Sequence, residues 1–356
     1  MRLQGSNGTA RGSVAVLVAS LTALAAAAIP VAAAGASQAV PARAVATARH
    51  SGAAGHAKLT TVRLVYDWPG IDFEAVPFTV GNARGYYQKL GIKVDVVIPP
   101  TTSTTVKMLA VGKGDIGFDT TTDVVFAQAQ GIDVKSIGNY SQDNNWGLVA
   151  PPGKPIDLKH LKGKSIGIFT DSWTEAMMPY VLRAAGLSAG EISTPIFTSD
   201  DIAPLLAGKI DLATNTLNYA VAEVQGATGK KPTTLLATKF GAPNVPVWVF
   251  TATSSWLKTH GSVARAFMTA TRQAFAWSIA HPGAAVEDFV AAYPKNGSSE
   301  QYNLNGWRAT IPVLGTTSTL LSQRAAEWTE VAGALKAVKL LSKALPASSY
   351  FTNAYN

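Results

Sequence analysis

The sequence predicts an α/β protein made of two α/β lobes with a ligand cleft between them and a helical C-terminal region. Three observations carry this expectation. From residue 60 to about 250, short Val- and Ile-rich runs alternate with longer segments of helical pattern. Such alternation is the mark of β-α-β units, with parallel strands and helices on both sheet faces. The alternation runs through one series and starts a second at Ser165–Phe169. After Ser262 the chain reads as helix, apart from loops near Pro294–Ser299 and Pro312–Ser318.

In order, "TVRLVY" (61–66) reads as a strand and "VPFTVGNARGYYQKL" (76–90) as a helix stopped by Gly91. "KVDVVI" (93–98) is a strand that Pro99-Pro100 ends, because proline cannot continue a ladder. "STTVKMLAVGKG" is a short helix with a glycine stop, "DIGFD" a strand, "TDVVFAQAQG" a helix, and "VKSIGNY" and "WGLVAP" strands. The second series has "SIGIF", helix "EAMMPYVLRAAG", strand "EISTPIF", helix "DDIAPLLAGK", strand "IDLAT" and helix "NYAVAEVQG". Strands "TTLLAT" and "VPVWVFTAT" close it.

The bulk composition fits a folded chain. Of 356 residues, 47% are hydrophobic and 15% charged, too apolar for disorder and ample for a large core. The formal charge of +8 gathers in no basic run, which argues against nucleic acid as a partner. Arg2 and Arg11 precede an uncharged Ala-rich stretch that ends in small residues suited to A-x-A cleavage, the order of a secretory signal. Residues 1–40 are therefore expected to be a secretory signal and 41–59 a flexible linker. The alternative is a retained membrane anchor, which Pro30, Gly35 and the alanine run disfavour. With no cysteine, disulfides, thiolate metal sites and lipoprotein attachment are excluded. An exported protein, periplasmic or held at the cell envelope, is the expectation.

Several motif matches fail on context. Gly112, Gly114 and Gly117 spell G-x-G-x-x-G, but a helix precedes them and a strand follows, the reverse of a dinucleotide fingerprint. Ser165 sits in G-x-S-x-G but starts a strand, where a nucleophile elbow ends one. The five histidines have no metal spacing, and no general acid/base pair stands out. Neither a catalytic residue nor a metal ligand nor a cofactor is expected.

Ligands of open α/β sheets sit beyond the carboxyl ends of strands. Five loops fall there: Asp67–Gly70 with the acids after it, Asp119–Asp123, Asn139–Trp146, Thr170–Glu175 and Thr214–Tyr219. They hold hydroxyls, amides, carboxylates and large aromatics, with no lysine or arginine. Flat faces with a few oriented polar groups suit a flat, polar organic molecule, and the missing bases argue against a small oxoanion. The competing reading of Thr120–Asp123 and Thr170–Ser172 is helix N-capping.

The order of features resembles the periplasmic substrate-binding proteins of ABC importers. The similarity is greatest to the branch of nitrate, sulfonate and taurine binders and thiamine-pyrimidine-precursor binders. It rests on Asp67-Trp68, Val76-Pro77-Phe78, Gly85-Tyr86-Tyr87 and Gly91-Ile92, on "MLAVGKGDIGFDTTTDVVFAQAQG", and on "DLKHLKGKSIGIF". The resemblance covers roughly residues 60–250. It implies a type II periplasmic-binding fold, with lobe one as residues 60–146, lobe two as 151–245, and 246–356 returning to lobe one with the C-terminal helices. The strands joining the lobes would lie at about 144–151 and 245–252. The implied function is capture of a small polar, heteroaromatic solute by a monomer that delivers it to an ABC permease, without chemistry. Membrane contact would come only through that permease or an uncleaved signal.

The candidate ligand-binding residues are Asp67, Trp68, Phe73, Glu74, Thr121, Asp123, Asn145, Asp171, Ser172, Trp173, Asn218 and Tyr219. Trp68 and Trp173 would flank the ligand. Asp67, Asp123, Asp171 and Asn218 would bond its polar edge, and Tyr219 would close the far side. Pyrimidine-precursor binders usually carry a histidine where Ala75 stands, and a W-N-Y-E-like stretch where this chain reads Leu217-Asn218-Tyr219-Ala220. The alternatives are a thiamine-pyrimidine biosynthetic enzyme on the same fold, or a ligand-sensing domain for a membrane receptor.

Overall fold

The computed structural model describes residues 58–198 and 201–356. The expected signal, and the expected linker as far as residue 57, lie outside the described residues. Among the described residues, ten strands form two five-stranded sheets. The first sheet holds β1 (Thr60–Val65), β2 (Ile92–Val97), β3 (Ile116–Thr120), β4 (Val134–Asn139) and β10 (Trp248–Thr253), in the order β2-β1-β3-β10-β4. The second holds β5 (Trp146–Ala150), β6 (Ile166–Phe169), β7 (Ile196–Phe197), β8 (Leu212–Thr216) and β9 (Thr233–Leu236), in the order β7-β6-β8-β5-β9.

Each sheet carries one reversed strand. β10 runs antiparallel to β3 and β4, and β5 runs antiparallel to β8 and β9. These are the first strands the chain makes after passing between sheets, and the reversal positions the site. Register pairs Trp248 with Thr120 and Trp146 with Thr216. The amino ends of β10 and β5 therefore lie beside the carboxyl ends of β3 and β8. The passages themselves fall between Asn139 and Trp146 and between Leu236 and Trp248, so most of the expected 144–151 crossing is β5, inside the second sheet. The two passages are tied together. The Asn144 amide donates to Pro243 O at 2.9 Å, the Asn144 N–H to Asn244 Oδ1 at 3.0 Å, and Asn244 to Asp143 at 2.9 Å.

Helices flank the sheets: α1 (Val76–Ala83), α2 (Tyr86–Lys89), α3 (Thr105–Ala110), α4 (Thr121–Ala129), α5 (Ser172–Ala185), α6 (Ile202–Leu206), α7 (Leu217–Thr228), α8 (Ser254–Ala280), α9 (Pro282–Ala292), α10 (Glu300–Thr310) and α11 (Ala325–Ala337). The single helix expected over 76–90 is broken at Gly85, whose φ of 71° is left-handed. α8 starts at Ser254, eight residues before the expected helical region, because the Thr253 hydroxyl caps it by accepting from Trp256 N–H. The expected strand 191–197 shrinks to Ile196–Phe197. The chain after Val338 leaves helix, and Phe351 instead bridges to Ser136 alongside β4.

The first sheet's core centres on Phe118, fully buried, with Tyr140 at 4.8 Å, Tyr66 at 5.2 Å and Trp68 at 5.5 Å between ring centroids. Each such side chain contributes roughly 1.5–3 kcal/mol by leaving water, and together they fix the floor under the end of β1. α10 packs against α7, so the C-terminal helices touch the second lobe as well as the first. Among the described residues, no helix is long and apolar enough to cross a membrane.

Candidate functional site

A cavity of about 120 Å³ lies where the carboxyl ends of β1, β3, β6 and β8 meet the amino ends of β5 and β10. Asp67, Trp68, Phe73, Glu74, Asp171, Trp173 and Tyr219 line it, with Asp72, Thr120, Trp146, Phe169, Thr174, Asn215, Trp248 and others. Thr121, Asp123, Asn145, Ser172 and Asn218 do not border it. The Thr121 hydroxyl donates to Val247 O at 3.2 Å, fastening α4 to the returning chain. Asn145 donates to Asn218 at 2.9 Å, and Ser172 shares a 2.7 Å bond with Thr122 across the cleft. These five build the walls and the contact between lobes.

The first wall grows from the end of β1. A turn closed by Gly70 N–H to Trp68 O at 2.9 Å reverses the chain, and Asp72 organises the segment around it. Asp72 accepts from Tyr66 Oη at 2.9 Å, Glu74 N–H at 2.9 Å and Trp68 Nε1 at 3.1 Å. The Trp68 indole is thereby held half-buried, 4.5 Å from the Tyr66 ring and 6.3 Å from the Trp248 ring. Phe73 stands between cavity and core. Its ring fills the place a Cβ on Gly306 would take, and it meets Tyr302 at 5.9 Å.

The acids of this wall are not all satisfied. Asp67 is 2% exposed, and its Oδ1 has no hydrogen-bond partner. Glu74, equally buried, accepts from the Asn218 amide on the opposite lobe through Oε1, while Oε2 has no partner. Burial holds the Asp67 carboxyl well above the usual carboxylate range, and the neighbouring Asp123 and Asp119 add to this. Glu74 is raised by burial first and by Asp72 second. Burial pushes Asp72 up to about 6, against its hydrogen bonds. Behind Asp67, Asp119 and Asp123 each bring a carboxylate oxygen within 4.8 Å of one on Asp67 and of each other. Oxygen donors of this kind suit hard cations.

On the second wall the acid is satisfied locally. Asp171 caps α5, accepting from Thr174 N–H at 2.6 Å and the Thr174 hydroxyl at 2.8 Å. Trp146 Nε1 donates to the same hydroxyl at 3.2 Å. Burial also pushes Asp171 up to about 6. On the first lobe, Thr120 and Asp123 form a capping box at α4, with Asp123 N–H donating to Thr120 Oγ1 at 3.1 Å. The capping read from the sequence is present at both helices, with Thr120 and Asp171 as the caps. Trp173 is 2% exposed and its Nε1 has no partner.

Trp146, although inside the inspected loop Asn139–Trp146, and Trp248 were outside the candidate set; for Trp248 the reason is physical. The carboxyl-end rule inspects where parallel strands finish. β5 and β10 are reversed, so their starting residues face the cleft. A tryptophan opening each strand after a passage between lobes was the available signal.

The NMT1/THI5-like family pattern matches residues 72–285, more than half of the chain. The chain belongs to the NMT1/THI5-like family. This NMT1/THI5-like protein is 22% identical, over 296 residues, to a protein of Haemophilus influenzae named for thiamine biosynthesis, covering 81% of this chain and 90% of that one. It is also 22% identical over 248 residues to the 4-amino-5-hydroxymethyl-2-methylpyrimidine phosphate synthase of Aspergillus parasiticus, covering 67% and 72%. Among solved structures, the alkanesulfonate-binding protein SsuA of Xanthomonas axonopodis pv. citri, bound to MOPS, superposes with a TM-score of 0.63 at 16% identity, over 83% of this chain and 99% of that one. The fold is that of the periplasmic binding proteins, two lobes about a cleft. Ala75, the position where the sequence resemblance implies a histidine, is fully buried in the core and does not border the cavity.

Proposed function

We propose that the protein is an extracytoplasmic solute-binding protein that encloses a small polar, heteroaromatic solute and delivers it to an ABC importer. One observation carries this reading. The cavity between the lobes is walled by indole and phenol faces, from Trp68, Trp146, Trp173, Tyr219 and Trp248, and edged by carboxylates, hydroxyls and an amide. That is the composition of a binding pocket for a flat ring with polar edges. Contacts across the cleft, such as Ser172 with Thr122 and Asn218 with Glu74, support a mechanism in which the lobes close on the solute.

The relatives named as pyrimidine phosphate synthases favour a second reading, an enzyme on the same fold. Among the described residues, no histidine lines the cavity to serve as base or nucleophile; His160, His260 and His281 are all exposed and elsewhere. The test is small-angle scattering and thermal shift with a panel of heteroaromatic metabolites. A solute that binds should compact the protein and raise its melting temperature. Product formation by the purified protein, or no response to the whole panel, would displace the binding reading.

A further inference from the structure

The cavity has a sign. Asp67, Asp72, Glu74 and Asp171 border it, and among the described residues no lysine, arginine or histidine does. The four acids are not equivalent. Both oxygens of Asp72 and both of Asp171 already accept hydrogen bonds from the protein. Asp67 Oδ1 and Glu74 Oε2 accept none, although both residues are only 2% exposed. A buried carboxylate oxygen without a donor is costly, so these two positions call for a donor from outside the chain. An anionic ligand cannot supply one. It would also find the N–H groups of Asp123 and Thr174, at the helix starts beside the cleft, already taken by Thr120 and Asp171.

The aromatic lining reinforces the sign. Trp68, Trp173, Tyr219 and Trp248 all reach the cavity. Electron-rich ring faces beside carboxylates attract positively charged nitrogen. The volume of about 120 Å³ is close to the roughly 150 Å³ of a cavity that admits benzene, so the cleft accommodates a single ring.

We propose that the solute is an organic cation: one aromatic ring bearing a protonated nitrogen whose N–H groups donate to Asp67 and Glu74, with the ring between the tryptophans. This rests on the solute-binding reading and specifies its ligand class. It also separates this site from those of structural neighbours whose names describe sulfonate binding. An inorganic cation at Asp67, Asp119 and Asp123 would use the same charge but not the rings. Asp119 and Asp123 also stand back from the cavity, each with one oxygen engaged, by Thr251 and Thr120.

The experiment compares three ligands of nearly equal shape, benzamidinium, benzamide and benzenesulfonate, by calorimetric titration into the EDTA-dialysed protein, with magnesium and calcium as further arms. Benzamidinium should bind at least about tenfold more tightly than benzamide, and benzenesulfonate should not bind. Asp67→Asn and, separately, Glu74→Gln should shrink the benzamidinium preference to within about threefold, with circular dichroism confirming that each variant folds. Equal affinities, preference for the sulfonate, no binding of benzamidinium, or heats from magnesium or calcium that match it would overturn the proposal. Lobe closure on a neutral heteroaromatic, with cations inert, would leave the solute-binding reading standing and remove this one. Failure of every solute to change the scattering would remove that reading itself.

Discussion

On the second-lobe wall, Asp171 commits both oxygens to Thr174, and Thr174 also receives the Trp146 indole. On the first-lobe wall, Asp67 leaves Oδ1 and Glu74 leaves Oε2 without a donor. Both walls hold buried acids beside tryptophans, yet the acid of the second wall is satisfied within it, while two on the first are open to a donor from a ligand. The lesson concerns division of labour. The second wall supplies shape and a surface to close against, while recognition of charge falls to the residues just past β1.

The largest expected effect is on pH dependence, and it spans both walls. Asp72 and Asp171, each pushed up to about 6 by burial, hold their protons more tightly folded than unfolded. Their contribution is therefore full below the unfolded value near 4 and is lost as pH rises through about 6. That amounts to roughly 3 kcal/mol per carboxyl. Asp211 and Glu191, lowered to about 2 by hydrogen bonds and lysine neighbours, act in the opposite sense only below pH ~4. Thermal melts of the ligand-free protein should peak between about pH 4 and 5 and fall by several degrees toward pH 7. Asp72→Asn and Asp171→Asn should each flatten that slope. A melting temperature that climbs from pH 5 to 7 would contradict this account of the acids.

A smaller effect separates the walls. Asp171→Ala removes the cap of α5 and should cost about 1 kcal/mol of stability, whereas asparagine, itself a good cap, should restore all but a few tenths. The smallest effect has the opposite sign. Asp67→Asn in the ligand-free protein exchanges an unpartnered buried acid for a neutral amide, and should leave melting at pH 7 unchanged or raise it by a degree or two. Chemical denaturation of the two variants side by side checks the contrast. A loss of stability in Asp67→Asn as large as in Asp171→Ala would mean that Asp67 has a structural partner.

The sequence carried the order of strands and helices well, because Val-rich runs bounded by glycine and proline leave little choice between periods 2 and 3.6. "DIGFD" became β3 and "TDVVFAQAQG" became α4, within a residue or two. It carried the first wall too, since Asp67 and Trp68 come directly after a strand end and Glu74 follows the turn beyond them. It was silent where a residue's duty depends on a distant partner. Nothing local to Asn218 says that its amide meets Glu74, 144 residues away. Nothing in "VPVWVFTAT" says that its strand runs backwards through the first sheet and brings Trp248 to the cleft. The break at Gly85 was hidden for the same reason. The apolar pattern continues through Tyr86 and Tyr87, and only the packing of Tyr87 beneath α8, with its hydroxyl 2.9 Å from Thr271, rewards the turn.

The central claim is that a ligand completes the two unpartnered carboxylates of the first wall. Benzamidinium titrated near pH 6.5 in two buffers of different ionisation enthalpy measures the protons exchanged on binding. Burial raises the Asp67 and Glu74 carboxyls well above the usual carboxylate range in the empty protein, so pairing with a cation weakens their hold on protons. The account predicts one-to-one binding with net proton release. Binding with no proton release, or with proton uptake, would contradict it.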